Sequence, residues 1–315
     1  MQSYIKRLIR SAVSYSAAIF TLDELIVNAA IKADGKTVKE LTRGKVALGA
    51  SGLRQYDPAR ERLRDTPHEK ITVTSFDGTA LRGHFFPDKN AKRVVIALHG
   101  WRSIWYQDLG PVSGFLLESG SSVLIPEHRG MGESGGKYMG LGMLERYDIM
   151  YWVRWIKERV GDDVPVYLYG VSLGAVCTMM TADLIKDGSV QGIIADCGFT
   201  SLDEELSYLI GRVGHLPYDA MRDFLLFLLK KRLGTDPLSA SPVKSLSESG
   251  IPVLFFHGEK DRMVPPYMVY ELYEAACGPK EMVTVKGAGH GMCYVTSPEL
   301  YREKVQDFWE LFDLT

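Results

Sequence analysis

From Val94 onward, short apolar runs alternate with longer stretches of helical periodicity. Val94–Leu98, Val123–Ile125, Val166–Tyr169, Gly192–Ala195, Val253–Phe256 and Met282–Val285 read as strands. A continuous apolar run of that length, rich in β-branched side chains, suits a strand covered on both faces. Between them, Leu144–Val160 closed by Gly161 and Leu173–Lys186 closed by Gly188 carry helical spacing, and Pro298–Phe312 forms a last helix. Strands alternating with helices predict an α/β fold built on a mostly parallel, doubly wound sheet. Ahead of it, Ile71–Ser75 alternates, Asp77-Gly78 signals a turn and Ala80–Phe86 resumes as extended chain, which predicts an antiparallel hairpin.

Two segments stand outside this rhythm. Between Cys197 and Ile251 lie 53 residues, too many for a simple crossover. They hold two helical stretches, Leu202–Val213 and Tyr218–Leu233, the second with the unbroken apolar run Phe224 to Leu229. A helix apolar on all sides is covered on several sides. Residues 200–245 are therefore expected to form a helical cap, inserted where ligand crevices open at the carboxyl ends of parallel strands. The core is then expected to comprise residues 67–199 and 246–315, preceded by an N-terminal helical extension over residues 1–66. In that extension Ile5, Leu8, Ile9, Ala12, Val13, Ile19, Phe20, Ile26, Val27, Ala30 and Ile31 recur at helical spacing, and Gly44, Gly49, Gly52 and Pro58 break the pattern further on. The expected role is an amphipathic helix packed on the body. The alternatives are a peripheral membrane contact through residues 1–31 and a signal peptide. The apolar run Ala12–Leu22 is interrupted by Ser14 and Ser16 and ends at Asp23 and Glu24, short of the ~20 apolar residues that span a bilayer.

Composition narrows the function classes. With 46% hydrophobic and 24% charged residues the chain is an ordinary globular one. A formal net charge of −2 leaves no excess of basic residues for nucleic acid. The four cysteines, Cys177, Cys197, Cys277 and Cys293, form no CxxC pair and read as reduced thiols in a cytoplasmic protein. No clustered His, Cys and Asp pattern calls for a metal, and no cofactor is expected.

The candidate chemistry centres on Gly170-Val171-Ser172-Leu173-Gly174. The strand Val166–Tyr169 runs into this pentapeptide and a helix runs out of it. A turn that tight needs glycine on both sides and leaves Ser172 exposed at a helix N-terminus, where developing negative charge is favoured. A serine hydroxyl needs a base. His290, in Gly287-Ala288-Gly289-His290-Gly291 just past the last strand, is placed to reach the sheet edge, whereas His99 and His128 read as loop braces. The orienting acid is expected at Asp261, by the usual order Ser, Asp, His along the chain, with Asp196 as rival and Glu259 a distant third. The backbone N–H groups of Leu173 and of Trp101, in His99-Gly100-Trp101-Arg102, are the expected oxyanion donors.

These pieces, with Gly130-Met131-Gly132-Glu133-Ser134-Gly135-Gly136 and Gly258 to Pro265, resemble the α/β-hydrolase superfamily over residues ~70–312. Within it the chain is similar to bacterial capped hydrolases of the serine aminopeptidase-like branch. The resemblance implies that the glycine-flanked Ser134 belongs to a structural loop. Two-step acyl transfer through Ser172 is expected. Trp105 and Tyr106, with Phe224 and Phe227, suggest an apolar substrate pocket, the alternative being that they belong to the core. The expected partner is therefore a small-molecule ester with a small to medium apolar acyl or aryl group. Peptidase or amidase action and a non-catalytic, membrane-associated binding role are the alternatives.

Overall fold

The apolar runs assemble into one sheet. The computed structural model describes residues 21–32, 54–186 and 188–313. Eight strands, β1 (Glu69–Thr74), β2 (Ala80–Phe86), β3 (Arg93–Leu98), β4 (Ser121–Pro126), β5 (Val166–Val171), β6 (Gly192–Asp196), β7 (Val253–Gly258) and β8 (Lys280–Val285), stand in the order β1-β2-β4-β3-β5-β6-β7-β8. β1 and β2 form the antiparallel hairpin, and β2 also pairs antiparallel with β4. All the other pairings are parallel, with β5 central and Leu98 of β3 opposite Gly170 of β5.

The two-sided burial follows from the strand's period of two. On β3, Val94, Ile96 and Leu98 enter one core with Trp152 and Val176, while Val95 and Ala97 enter the other with Phe115 and Trp309. The helices among the described residues are a segment over residues 21–31 (α1), then α2 (Asp57–Asp65), α3 (Trp105–Glu118), α4 (Glu145–Val160), α5 (Leu173–Thr181), α6 (Leu202–Leu206), α7 (Tyr218–Leu233), α8 (Pro242–Ser247), α9 (Tyr267–Ala275), α10 (Cys293–Thr296) and α11 (Pro298–Phe312).

Several helices depart from the periodicity. α3 carries Pro111 inside it, a residue that reads as a breaker because it lacks an N–H and clashes with the preceding turn, and its buried face overrides that signal. Pro58 sits in the first turn of α2, where the missing N–H costs nothing, so it opens a helix rather than breaking one. α9 also lacked a clear signal. The helix after Ser172 stops at Thr181 and passes through a 3₁₀ turn, Ala182–Leu184, so Gly188 does not cap it. Thr181 donates its hydroxyl to the Cys177 carbonyl at 2.7 Å, a side-chain bond that competes with the helical ladder at its last turn. Between α6 and α7 the chain runs as a π-helical segment, Ser207–Val213. The apolar stripe from Ile5 to Phe20 and the glycines at 44, 49 and 52 lie outside the described residues.

One ion cluster, buried at Arg129 and Asp148 and exposed at Asp77, ties the hairpin to the body. Arg129, after β4, donates to both carboxylate oxygens of Asp148 on α4 at 2.7 and 2.6 Å and to Asp77 in the hairpin turn at 2.7 Å. Ser75 donates its hydroxyl to the same Asp148. Replacing Arg129 by Met strands a buried carboxylate, so urea denaturation should register a loss of about 3–5 kcal/mol. A loss below about 1 kcal/mol would show that Asp148 is held by its other partners.

Candidate active site

Two glycines are imposed by backbone approach. A Cβ on Gly170 would stand 2.3 Å from the Gly174 carbonyl carbon, and one on Gly174 would stand 2.2 Å from the Leu98 oxygen. Only hydrogen fits at either position, so β5 can turn into α5 without leaving the sheet. The residue at the corner takes the strain: Ser172 has φ 55° and ψ −120°. Such a backbone costs of order 1–3 kcal/mol in a residue with a Cβ and persists only where its surroundings hold it. Here the Ser172 N–H donates to the Asp196 carbonyl at 2.8 Å, and the Ser172 carbonyl accepts the Val176 N–H at 3.0 Å, the first rung of α5.

The loops after β7 and β8 bring the partners to that corner. Ser172 Oγ lies 2.8 Å from His290 Nε2, and His290 Nδ1 lies 2.8 Å from Asp261 Oδ2. The second Asp261 oxygen accepts the N–H groups of Met263 and Val264 at 2.8 and 3.0 Å. With Asp261 ionised, Nδ1 carries the proton and donates it, which leaves Nε2 free to accept from the serine hydroxyl. Burial pushes the His290 imidazole down, but the hydrogen bond and charge of Asp261, joined by the charges of Asp196 and Asp108, more than offset it, so its pKa is raised.

The rival acids stand elsewhere. Asp196, at the end of β6, is 2% exposed; burial drives its carboxyl up to about 6 against hydrogen bonds from Cys293 and Tyr301. Its hydrogen-bonded link to this corner is through its main-chain oxygen to Ser172, not through its carboxylate to His290. Glu259 is exposed. Ser134 donates its hydroxyl to the Glu127 carbonyl and accepts the Arg82 N–H, both at 2.8 Å, tying its loop to β2.

His99 and His128 form a buried brace under the loop after β3. His99 Nδ1–H donates to the Gly100 carbonyl at 2.9 Å, and His128 Nε2–H donates to the His99 carbonyl at 2.8 Å. Burial, with the neighbouring His128, holds the His99 imidazole well below its ordinary range. Among the described residues, Cys197, Asp261 and His290 converge with ligand atoms within 4.8 Å. Two of the three are already bonded to each other, and burial pushes the Cys197 thiol up, away from the thiolate a metal would want.

Ser172 and His290 open on a cavity of about 310 Å³. Leu173, Trp101 and Gly100 line it beside the serine, and Leu173, as the first residue of α5, has no intrahelical acceptor for its N–H. Its apolar walls include Leu141, Phe199, Leu206, Leu209 and Ile210. Trp105, Tyr106, Phe224 and Phe227 are not part of that wall. Trp105 opens α3 with its ring stacked on His84, centroids 4.0 Å apart, and Tyr106 packs edge-on against it at 5.2 Å. On α7 the inward face is Met221, Leu225, Leu228 and Leu229, which leaves Phe227 56% exposed and stacked with Phe224. The apolar run is helical but not covered on all sides, since Phe227 falls on the exposed face of an amphipathic helix, and α6 and the π-helical turn, not α7, face the serine.

Part of the wall comes from a segment to which the sequence assigned no site role. Ile26, Ala29 and Ala30 of α1 border the cavity. The carbonyls of its last turn are met from the loop after β3: Trp101 Nε1–H donates to Ala30 at 2.8 Å, and Arg102 donates to Asn28 and Lys32 at 3.3 and 2.8 Å. Cationic donors at a helix C-terminus are favoured by its dipole. Arg232 at the end of α7 pairs with Glu24.

Residues 95–304 match the model of the Alpha/beta hydrolase family, and the chain belongs to that family. It is 30% identical over 243 residues to YqkD, an uncharacterised protein of Bacillus subtilis, a match that covers 76% of this chain and 78% of that one. It is 30% identical over 210 residues to the lysophosphatidylserine lipase ABHD12 of Xenopus tropicalis, covering 61% of this chain and about half, 51%, of that one. Among solved structures it is similar to the esterase Pf2001 of Pyrococcus furiosus, with a TM-score of 0.65, 24% identity, and 78% and 91% of the two chains covered.

Proposed function

We propose that the protein is a serine hydrolase that cleaves carboxylic esters of small to medium apolar acyl groups. The observation that carries this reading is the hydrogen-bonded chain Ser172–His290–Asp261 opening directly on an apolar cavity of about 310 Å³. In the first step the Ser172 oxygen attacks the ester carbonyl while His290 Nε2 takes its proton. The tetrahedral oxyanion is held by the N–H groups of Leu173 and Trp101. Collapse expels the alcohol, protonated by His290, and leaves an acyl-serine. Water, deprotonated by the same imidazole, then releases the acid. Asp261 fixes the tautomer and stabilises the imidazolium.

A cavity of this volume lies at the small end of ligand sites, which run from about 300 to 1,000 Å³, and so favours short acyl chains. Residues 200–245 act as the cap in this reading, and α1 forms a second wall. The four cysteines are free, which fits the cytoplasm. No helix among the described residues is long and apolar enough to cross a membrane. A panel of p-nitrophenyl esters of rising chain length, run beside aminoacyl anilides, tests the reading: hydrolysis should peak at short acyl esters. Faster turnover of the anilides would move the assignment to a peptidase.

The base must be neutral to act, so kcat/KM should rise with pH through the His290 titration. Because that pKa is raised, the inflection should fall above the ordinary histidine value of about 6.5. An inflection below it would mean that burial, not Asp261, governs the imidazole.

A further inference from the structure

Three consecutive acids on α6, Asp203, Glu204 and Glu205, have different environments. Asp203 is paired with Arg222 at 2.8 Å and accepts the Tyr218 hydroxyl at 2.6 Å. Glu204 accepts the Thr200 hydroxyl. Glu205 is 7% exposed, lines the cavity together with Ser172 and His290, and keeps one carboxylate oxygen, Oε2, buried without a hydrogen-bond partner. The other acid on the wall, Asp108, is satisfied by the Gly100 N–H at 2.9 Å. No Lys or Arg lines the cavity among the described residues. A buried carboxyl facing an apolar space and lacking a partner is costly, and its natural complement is a group that a ligand brings.

We propose that Glu205 is the specificity-determining residue of this site and pairs with a hydroxyl carried by the ester substrate, so that hydroxy esters such as partial glycerides are preferred over plain alkyl esters of the same size. The inference rests on the ester-hydrolase reading above. A hydroxyl suits the position better than an ionic group. Burial, with the charges of Asp261 and Glu204, raises the Glu205 carboxyl well above its ordinary range, toward the neutral acid. A neutral carboxyl and a hydroxyl can each donate and accept, and no charge is buried by the pairing. An anionic headgroup in the same place would meet two acids and no cation.

The test compares kcat/KM for 1-monobutyrin, propyl butyrate and butyrylcholine in the full-length protein and in Glu205→Leu and Glu205→Gln, with fluorophosphonate labelling of each as a check that Ser172 is assembled. The wild type should favour monobutyrin over propyl butyrate by roughly ten- to a hundredfold, the discrimination expected when a buried polar group is left unpaired. Glu205→Leu should collapse that ratio to near one, and Glu205→Gln, which still donates and accepts, should keep most of it. Equal ratios in labelled wild type and labelled Glu205→Leu overturn the role of Glu205 alone. A preference for butyrylcholine that Glu205→Gln abolishes overturns the hydroxyl in favour of a cation. A wild type that takes no label and cleaves none of the three esters overturns the ester-hydrolase reading, and the role of Glu205 with it.

Discussion

Ser172→Ala should abolish fluorophosphonate labelling and lower kcat on p-nitrophenyl butyrate by about 10⁵–10⁶-fold, the scale on which serine nucleophiles act. The expectation follows from the corner at the end of β5. The hydroxyl is the group that His290 Nε2 meets there, and the glycine-flanked Ser134 cannot replace it, being spent on the Glu127 carbonyl and the Arg82 N–H. The backbone should not change, because alanine carries the same Cβ at φ 55° and the glycines on either side still permit the approach. The melting temperature therefore separates lost chemistry from lost fold. It should stay within a few degrees in Ser172→Ala, whereas Ser172→Gly should melt higher, since glycine relieves about 1–3 kcal/mol of strain at that φ. Labelling that survives in Ser172→Ala would remove the serine from the mechanism.

What the chain discloses before folding depends on how local the signal is. The strands were legible because two-sided burial forces continuous apolar runs, and Ser172 was legible because a strand-to-helix corner forces glycine at both flanks. Helix α3 was not, since Pro111 and the glycines around it argue locally against a helix that only the packed sheet stabilises. The pocket was misread for a related reason. Trp105 and Phe227 are large and apolar, but size does not say which way a ring points; His84 draws the first away and the inward face of α7 turns the second to solvent. The wall given by α1 is nonlocal: Ala29 and Ala30 border the cavity because Trp101 and Arg102, about seventy residues later, hold the end of that helix. Glu205 was hidden among three acids, and only its missing partner distinguishes it.

Asp261→Asn should cost about 10⁴ in kcat/KM, and Asp196→Asn less than about tenfold, measured on the same short-chain ester at the pH plateau. The asymmetry comes from the hydrogen bonds that Asp261 already makes. Its Oδ1 accepts from the N–H groups of Met263 and Val264, so an asparagine must keep its carbonyl oxygen there and turn its NH₂ toward His290. Facing a donor, His290 Nδ1 can only accept, and the imidazole proton moves to Nε2, the atom that must take the Ser172 proton. The base is then present but in the wrong tautomer. The pH inflection should also fall, because the largest of the interactions that raise the His290 pKa is removed. Asp196 makes no such bond to the imidazole, its carboxyl is already driven up to about 6, and its contact with Ser172 is through a main-chain oxygen that the substitution leaves in place. Equal losses in the two variants, or a larger loss at Asp196, would move the orienting acid to the end of β6.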